Sequence, residues 1–139
     1  MDQLTCIQHD FGKVSKIGQK IIFTEFYSND NFGIDEARTI DNARNKLSGG
    51  KKFYSLVSLI SVFGHMTKEA QTFLGKESKC SKLILHEVVL VNNLPTRILT
   101  KYFIKFINPP YKIEVAKQFE NGLKILKQRS MDHDNRTQH

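Results

Sequence analysis

Five histidines, two cysteines and a scatter of hydroxyls are the side chains of this 139-residue sequence with reactive chemistry in reach. His9, His65, His86, His133 and His139 share no ligand-type spacing. A helical zinc site would show HxxxH or HExxH and neither occurs, so no metal or other cofactor is expected. Cys6 and Cys80 stand in no CxxC and near no helix start that would stabilise a thiolate, and they read as two reduced thiols. No serine sits in a GxSxG turn. Gly49-Gly50-Lys51 is too short to cradle a phosphate and reads as a helix cap. The expectation is a protein that is not an enzyme.

Two polar groupings remain. Thr67 opens a helix, where its hydroxyl caps the first turn or, alternatively, accepts a phosphate favoured by the free backbone amides. Ser58, His65, Met66 and Thr67 follow one strand, and Asn92 and Asn93 end its neighbour. Together they make the candidate loop for a ligand or partner, because open α/β sheets bind beyond the carboxyl ends of their strands. The second grouping is Arg97, Lys101 and Lys105, whose i, i+4, i+8 spacing forms one basic stripe on a helix. It suits an anionic headgroup, a phosphate or an acidic protein, and equally a solvated face opposite a core-facing side. Asp35, Glu36 and Asp41 are expected on an exposed helical face.

The elements that would hold these residues follow from periodicity. Leu4 to Val14 and Gly18 to Tyr27, separated by a turn, predict an N-terminal hairpin, and Ser28 to Asn31 is a breaker. Ala37, Ile40, Ala43 and Leu47 give a first helix over 34–47 with a narrow apolar face. Asp35 and Glu36 lie in its first turn and Arg44 and Lys46 in its last, as the helix dipole favours. Phe53 to Ile60 is an almost unbroken apolar run that suits a strand buried on both faces. A second helix from Thr67 carries Ala70, Phe73 and Leu74, and a strand follows centred on Glu87 to Val91. A third helix from Asn92-Asn93 carries Ile98, Leu99, Tyr102, Phe103 and Phe106 as a wide stripe expected to face the core. Tyr111 to Val115 is a short strand, and a fourth helix follows with Phe119, Leu123 and Leu126 inward. Gly122 within it costs about 1 kcal/mol against alanine and marks close packing on a neighbour.

The order β-β-α-β-α-β-α-β-α implies an α/β fold. Its sheet is mostly parallel, four- to five-stranded, with the N-terminal hairpin strand at an edge and about four helices. One domain over residues 1–128 is expected, with a disordered tail over 129–139 where apolar periodicity stops. Lys and Arg number 21 against 14 acids, giving +7, which favours an anionic partner through long-range attraction. No run approaches the length of a membrane span. The opening MDQLTCIQHDFGK has no apolar stretch of the signal-peptide kind, so a cytoplasmic location is expected.

Several stretches resemble a known group. Phe53-Tyr54-Ser55-Leu56-Val57-Ser58-Leu59 through Met66-Thr67-Lys68-Glu69-Ala70 is similar to the strand and second helix of STAS-like proteins of the bacterial SpoIIAA type. Val88-Val89-Leu90-Val91-Asn92 with Arg97, Pro110 through Ile113, and Gly122-Leu123-Lys124-Ile125-Leu126 are similar to later parts of the same group. The resemblance covers roughly residues 20–128 and is one of element order and hydrophobic rhythm. It implies a four- or five-stranded sheet with helices mainly on one face, in a group whose work is binding a protein, a nucleotide or a lipid. Sigma-regulatory antagonists carry an Asp-Ser pair before the second helix, where Val62 to Thr67 offers only Thr67. Many single-domain relatives carry an acid where Ser58 stands. Neither departure favours a phosphorylation switch.

The leading expectation is a non-enzymatic, regulatory binding module that contacts a partner protein through its second and third helices, with a homodimer as one form of partner. The alternative is a lipid or other small amphipathic or anionic ligand in an internal pocket lined by Phe63, Phe73, Phe103 and Phe106. Nucleic acid ranks below both, since no basic-aromatic surface motif or helix-turn-helix pattern is present.

Overall fold

The computed structural model describes residues 5–27, 32–60 and 66–137, the side chains of residues 136 and 137 excepted. The strands are β1 (Cys6–His9), β2 (Gly12–Ile17), β3 (Ile21–Phe26), β4 (Phe53–Ser58), β5 (Ile84–Leu90) and β6 (Ile113–Ala116). The helices are α1 (Ile34–Ser48), α2 (Lys68–Thr72), α3 (Leu94–Tyr102) and α4 (Phe119–Thr137). They form one six-stranded sheet in the order β1-β2-β3-β4-β5-β6. The first three strands pair antiparallel, and β3 to β6 pair parallel.

That order decides where the helices go. Each parallel crossover steps to the next position in the same direction, so right-handed connections deliver all three to one side of the sheet. Ala37, Ile40, Ala43 and Leu47 of α1 and Ala70 of α2 accordingly share a core with Ile22, Phe26, Phe53, Val57 and Val89 of the strands. The segment after β6 has no further strand to reach and covers the opposite face. There Leu126 of α4 packs with Tyr54, Leu56, Val88 and Leu90. Alternation along β4 and β5 feeds both cores, which is why Phe53 to Ile60 reads as an almost unbroken apolar run.

Local chemistry fixes the helix ends. The Gly33 amide donates to Glu36 Oε1 at 2.8 Å, and Gly49 ends α1 at φ 67°. Thr67 Oγ1 accepts from the Ala70 amide at 3.1 Å, and Asn93 Oδ1 accepts from the Thr96 amide at 3.0 Å, so both act as N-caps. Both α2 and α3 relax into π-helical turns, Phe73–Glu77 and Phe103–Ile107. The two turns meet at Gly75, where an added Cβ would come within 2.7 Å of Ile107 Cγ2 and Phe103 Cζ. Gly122 plays the packing role its position suggests. A Cβ there would lie 2.8 Å from Leu56 Cδ1 and 2.9 Å from Leu90 Cδ2.

Three sequence expectations need correction. The sheet has six strands, because a turn at Asp10 and Phe11 divides the first segment into β1 and β2, and β2 runs on through Val14 to Ile17. Val14 packs into the core under α1 and Ile17 against the core under α4, so β2 meets both layers, and the next turn is at Gly18 with φ 62°. Residues 129–137 are helical, continuing α4. Exposed ion pairs accompany this stretch where apolar periodicity has run out: Arg129 to Glu114, Arg129 to Asp132, and Lys20 to Asp134. Finally, Ile98 and Phe106 do not face the core. The buried side of α3 and its π turn is Thr96, Thr100 and Ile107, while Leu94, Ile98 and Phe106 are 67%, 58% and 60% exposed. The threonines fill this place because their hydroxyls are satisfied locally. Thr100 Oγ1 donates to the Thr96 carbonyl at 2.8 Å, leaving the methyl group to pack inward. The breaker at Ser28 to Asn31 lies outside the described residues.

Candidate ligand cavity

The buried stripe of α1 includes two charged residues. Asp41 and Arg44 lie at helical spacing from Ala37, Ile40 and Leu47, and each is only 3% exposed. Arg44 Nη2 stands 3.6 Å from Asp41 Oδ1. The expectation of an exposed Asp41 is therefore overturned: one turn of helix carries an acid and its base together into the core. On the sheet face that packs against α1, β4 and β5 place Ser55 beside Glu87, and the Ser55 hydroxyl donates to Glu87 Oε1 at 2.7 Å. Glu87 is itself buried.

A cavity of about 70 Å³ opens beside this cluster. Arg44, Glu87, Gln71 and Tyr111 contribute its polar groups. Phe26, Val57, Leu59 and Val89 line it from the sheet side, with Met66 and Leu74 from the second crossover and Leu99, Thr100 and Phe103 from the third. Gln71 Nε2 donates to the Met66 carbonyl at 3.0 Å, which leaves Oε1 without a partner. Arg44 Nε and Nη2 are also buried without a hydrogen bond, as is Asp41 Oδ1. Buried polar atoms are nearly always paired, so this concentration of unpaired ones at a mostly apolar cavity is the feature to explain. The volume exceeds the space one water needs several-fold and suits either a few waters or a ligand of a handful of non-hydrogen atoms.

Burial sets the electrostatics. It pushes the Glu87 carboxyl above its ordinary value, against the opposing pull of the Arg44 charge and the Ser55 hydrogen bond. It raises the Tyr111 phenol well above its usual range, with the Glu87 charge adding to the effect. The Cys80 thiol is pushed up to about 12, again by burial, with Arg44 only partly offsetting it. Burial alone would weaken the Arg44 charge, but the acidic and ionisable groups around it prevail and hold its pKa higher still. A protonated thiol, a neutral phenol and a firmly charged guanidinium result at neutral pH.

A second, open groove runs beside β6, lined by His86, Pro109, Pro110, Glu114 and Arg129 among others. His86 Nε2 meets Glu114 Oε2 at 2.6 Å, and Arg129 donates to both Glu114 oxygens at 2.9 and 3.2 Å. The Arg129 hydrogen bond chiefly holds the Glu114 carboxyl below its ordinary value. The trio reads as a clamp fastening α4 to the sheet edge.

The residues singled out by sequence divide among different roles. Ser58 Oγ accepts from the Ile60 amide at 3.4 Å in the turn after β4. Thr67 and Asn93 are exposed caps, and Asn93 Nδ2 donates to Asn92 Oδ1 at 3.2 Å. Of the candidate loop only Met66 lines the cavity, and His65 lies outside the described residues. Of the four phenylalanines expected around a pocket, Phe103 lines it, Phe106 points to solvent, Phe73 packs partly buried against the core, and Phe63 lies outside the described residues. The basic stripe faces outward: Lys101 and Lys105 are exposed and Arg97 half-buried, and Lys105 Nζ sits 5.5 Å over the Phe106 ring. Sequence reasoning missed Asp41, Arg44, Gln71 and Glu87. The signals were present, in two charges falling on the apolar stripe of α1 and one acid amid the valines of β5.

Comparison places this architecture among known ones. An uncharacterised protein of the DUF3478 family from Shewanella loihica PV-4, described as having a SpoIIAA-like fold, superposes with a TM-score of 0.59 at 10% identity. The alignment covers 91% of this chain and 98% of that one, and it establishes a shared SpoIIAA-like α/β fold. No curated protein matches the sequence. A family model, described as a domain of unknown function (DUF7793), matches residues 15–130, which takes in all the strands from β3 onward and most of α4; the chain belongs to that family.

Proposed function

We propose that the protein is a non-enzymatic binding module that holds a small amphipathic ligand in the cavity between α1, α3 and the sheet. One observation carries this reading: the buried Arg44 Nε donor and Gln71 Oε1 acceptor, neither with a hydrogen-bond partner, at a cavity lined mostly by apolar side chains. Pre-formed ligand sites have this composition, an apolar wall with a few convergent polar groups. The non-enzymatic half is supported by the state of the reactive groups. The Cys80 thiol is held protonated, the Ser55 hydroxyl is committed to Glu87, and Thr67 is a cap. Both cysteines are unpaired, which fits work in the cytoplasm, and among the described residues no helix is long and apolar enough to cross a membrane.

Native mass spectrometry of protein taken directly from cells tests the reading. A discrete added mass that is lost on denaturation, and absent from a Thr100→Leu variant that narrows the cavity, is the expected result. A bare mass for folded wild-type protein in every preparation would overturn it.

A second reading is a regulatory contact with an acidic partner protein across α3. Leu94, Ile98 and Phe106 stand exposed beside Arg97, Lys101 and Lys105, and residues 94–107 contain no acid. Exposed apolar groups rimmed by charge of one sign are an interface signature. An Ile98→Glu variant that loses a partner captured by the wild type would support it, and unchanged capture would count against it.

A further inference from the structure

Resting on the cavity reading above, we infer that the ligand is electrically neutral and offers a hydrogen-bond acceptor to Arg44 and a donor to Gln71, the pattern of a primary carboxamide with a short apolar body.

The count of buried charges leads there. Arg44 supplies one positive charge, and Asp41, 3.6 Å away, one negative charge. Glu87 is the third member. With its carboxyl protonated, the set is balanced; ionised, the set carries one negative charge in excess. A carboxylate or phosphate entering the cavity would add an uncompensated buried anion in either state, and burying an unpaired charge is among the most unfavourable steps available to a protein. A cationic ligand fails for a different reason. It brings no acceptor, so the Arg44 Nε donor would stay without a hydrogen bond beside a like charge. The chain's overall +7 does not alter this, since net charge guides encounter at long range and leaves the local balance unchanged.

The unpaired atoms then specify the polar head. Arg44 Nε and Nη2 are donors only, and Gln71 Oε1 is an acceptor only. A head group that satisfies both must carry an acceptor and a donor, as a carboxamide does with its carbonyl and NH₂. The body lies against Val57, Leu74 and Phe103, which offer apolar surface alone. At about 70 Å³ the space admits a short chain and no long acyl tail.

The test uses the full-length protein, labelled for amide NMR, and four small probes at neutral pH: butanamide, butanoate, butylammonium and 2-pentanone. Butanamide is expected to give saturable shifts at the amides of residues 71–74 and 99–103, with a Kd on the order of 1 mM for so few atoms. Butanoate and butylammonium are expected to bind at least tenfold more weakly. The ketone keeps the acceptor and lacks the donor. In a Gln71→Leu variant, whose folding is checked by its melting curve, butanamide should weaken about tenfold while 2-pentanone is unchanged. Butanoate binding more tightly than butanamide at these same amides would overturn the neutral-ligand inference and leave the cavity reading standing. An equal loss of both neutral probes in Gln71→Leu would remove the donor half of the pattern. No saturable shift from any probe would overturn both.

Discussion

Replacing Arg44 by methionine removes the one positive charge from a core that holds two carboxylates. Arg44 and Asp41 side chains are 3% and 5% exposed, so water cannot compensate for the loss. Asp41 Oδ1 already lacks a hydrogen bond. Deleting one partner of a buried ion pair costs about 3–5 kcal/mol, a large share of the roughly 5–15 kcal/mol that holds a domain folded. With a urea slope of about 1.5 kcal/mol per molar, the midpoint should fall by roughly 2–3 M. The double variant Arg44→Met/Asp41→Leu replaces the pair with apolar groups of similar bulk and should regain most of that loss, because well-packed apolar residues match or exceed a buried pair. The recovery of about 2–4 kcal/mol from the single to the double variant is the quantity to measure, by urea titration of wild type, both single variants and the double.

The pH dependence of the same variant carries a definite sign. Glu87 is raised by burial and restrained by Arg44 and Ser55, so removing Arg44 raises it further. A carboxyl with a raised folded pKa is least favourable when ionised. Its penalty is absent below the unfolded value of about 4.3, grows as pH rises through the folded pKa, and is constant above it. The stability gap between wild type and Arg44→Met should therefore be widest at neutral pH and narrow on acidification. A single variant within about 0.5 kcal/mol of wild type, or a double variant no better than the single, would refute the buried-cluster account.

Other outcomes follow from particular contacts. Gly122→Ala gains about 1 kcal/mol of helix propensity but forces a methyl against Leu56 and Leu90, where overpacking costs about 1–3 kcal/mol; a net loss in melting temperature is expected, and a net gain would contradict the packing. Thr67→Ala should lower stability by about 1 kcal/mol while Thr67→Asp, also a good cap, holds it, as read by denaturant midpoints. Arg129→Gln loosens the Glu114 clamp. Because the Glu114 carboxyl is held low, its stabilisation is present above the unfolded pKa and lost as pH falls through the folded one, so acid unfolding followed by circular dichroism should be shallower in the variant.

Much of the architecture was legible because it rests on periodicity and local chemistry. The α1 stripe, the caps at Thr67 and Asn93 and the tight seat of Gly122 all need only nearby residues to be inferred. What escaped depends on partners distant in sequence. The helix past Ser130 lies where no apolar pattern announces it, with the exposed Asp134–Lys20 pair as its long-range contact and Arg129–Glu114 just before it. The orientation of α3 turns on threonines that satisfy their own hydroxyls and so behave as apolar residues. Asp41 and Arg44 occupy core positions of α1, yet residue type argued for the surface, and only Glu87, forty-three positions beyond Arg44, supplies the context that brings the charges inside.

The claim at the centre is that a small neutral amphipathic molecule completes the hydrogen bonds of Arg44 and Gln71. A high-resolution crystal structure of the protein soaked in butanamide tests it most directly. The expected map shows continuous density in the cavity, with the amide oxygen in hydrogen-bonding reach of Arg44 and the amide nitrogen in reach of Gln71 Oε1. A cavity closed by its own side chains, with the Arg44 guanidinium fully paired to protein groups, would contradict it.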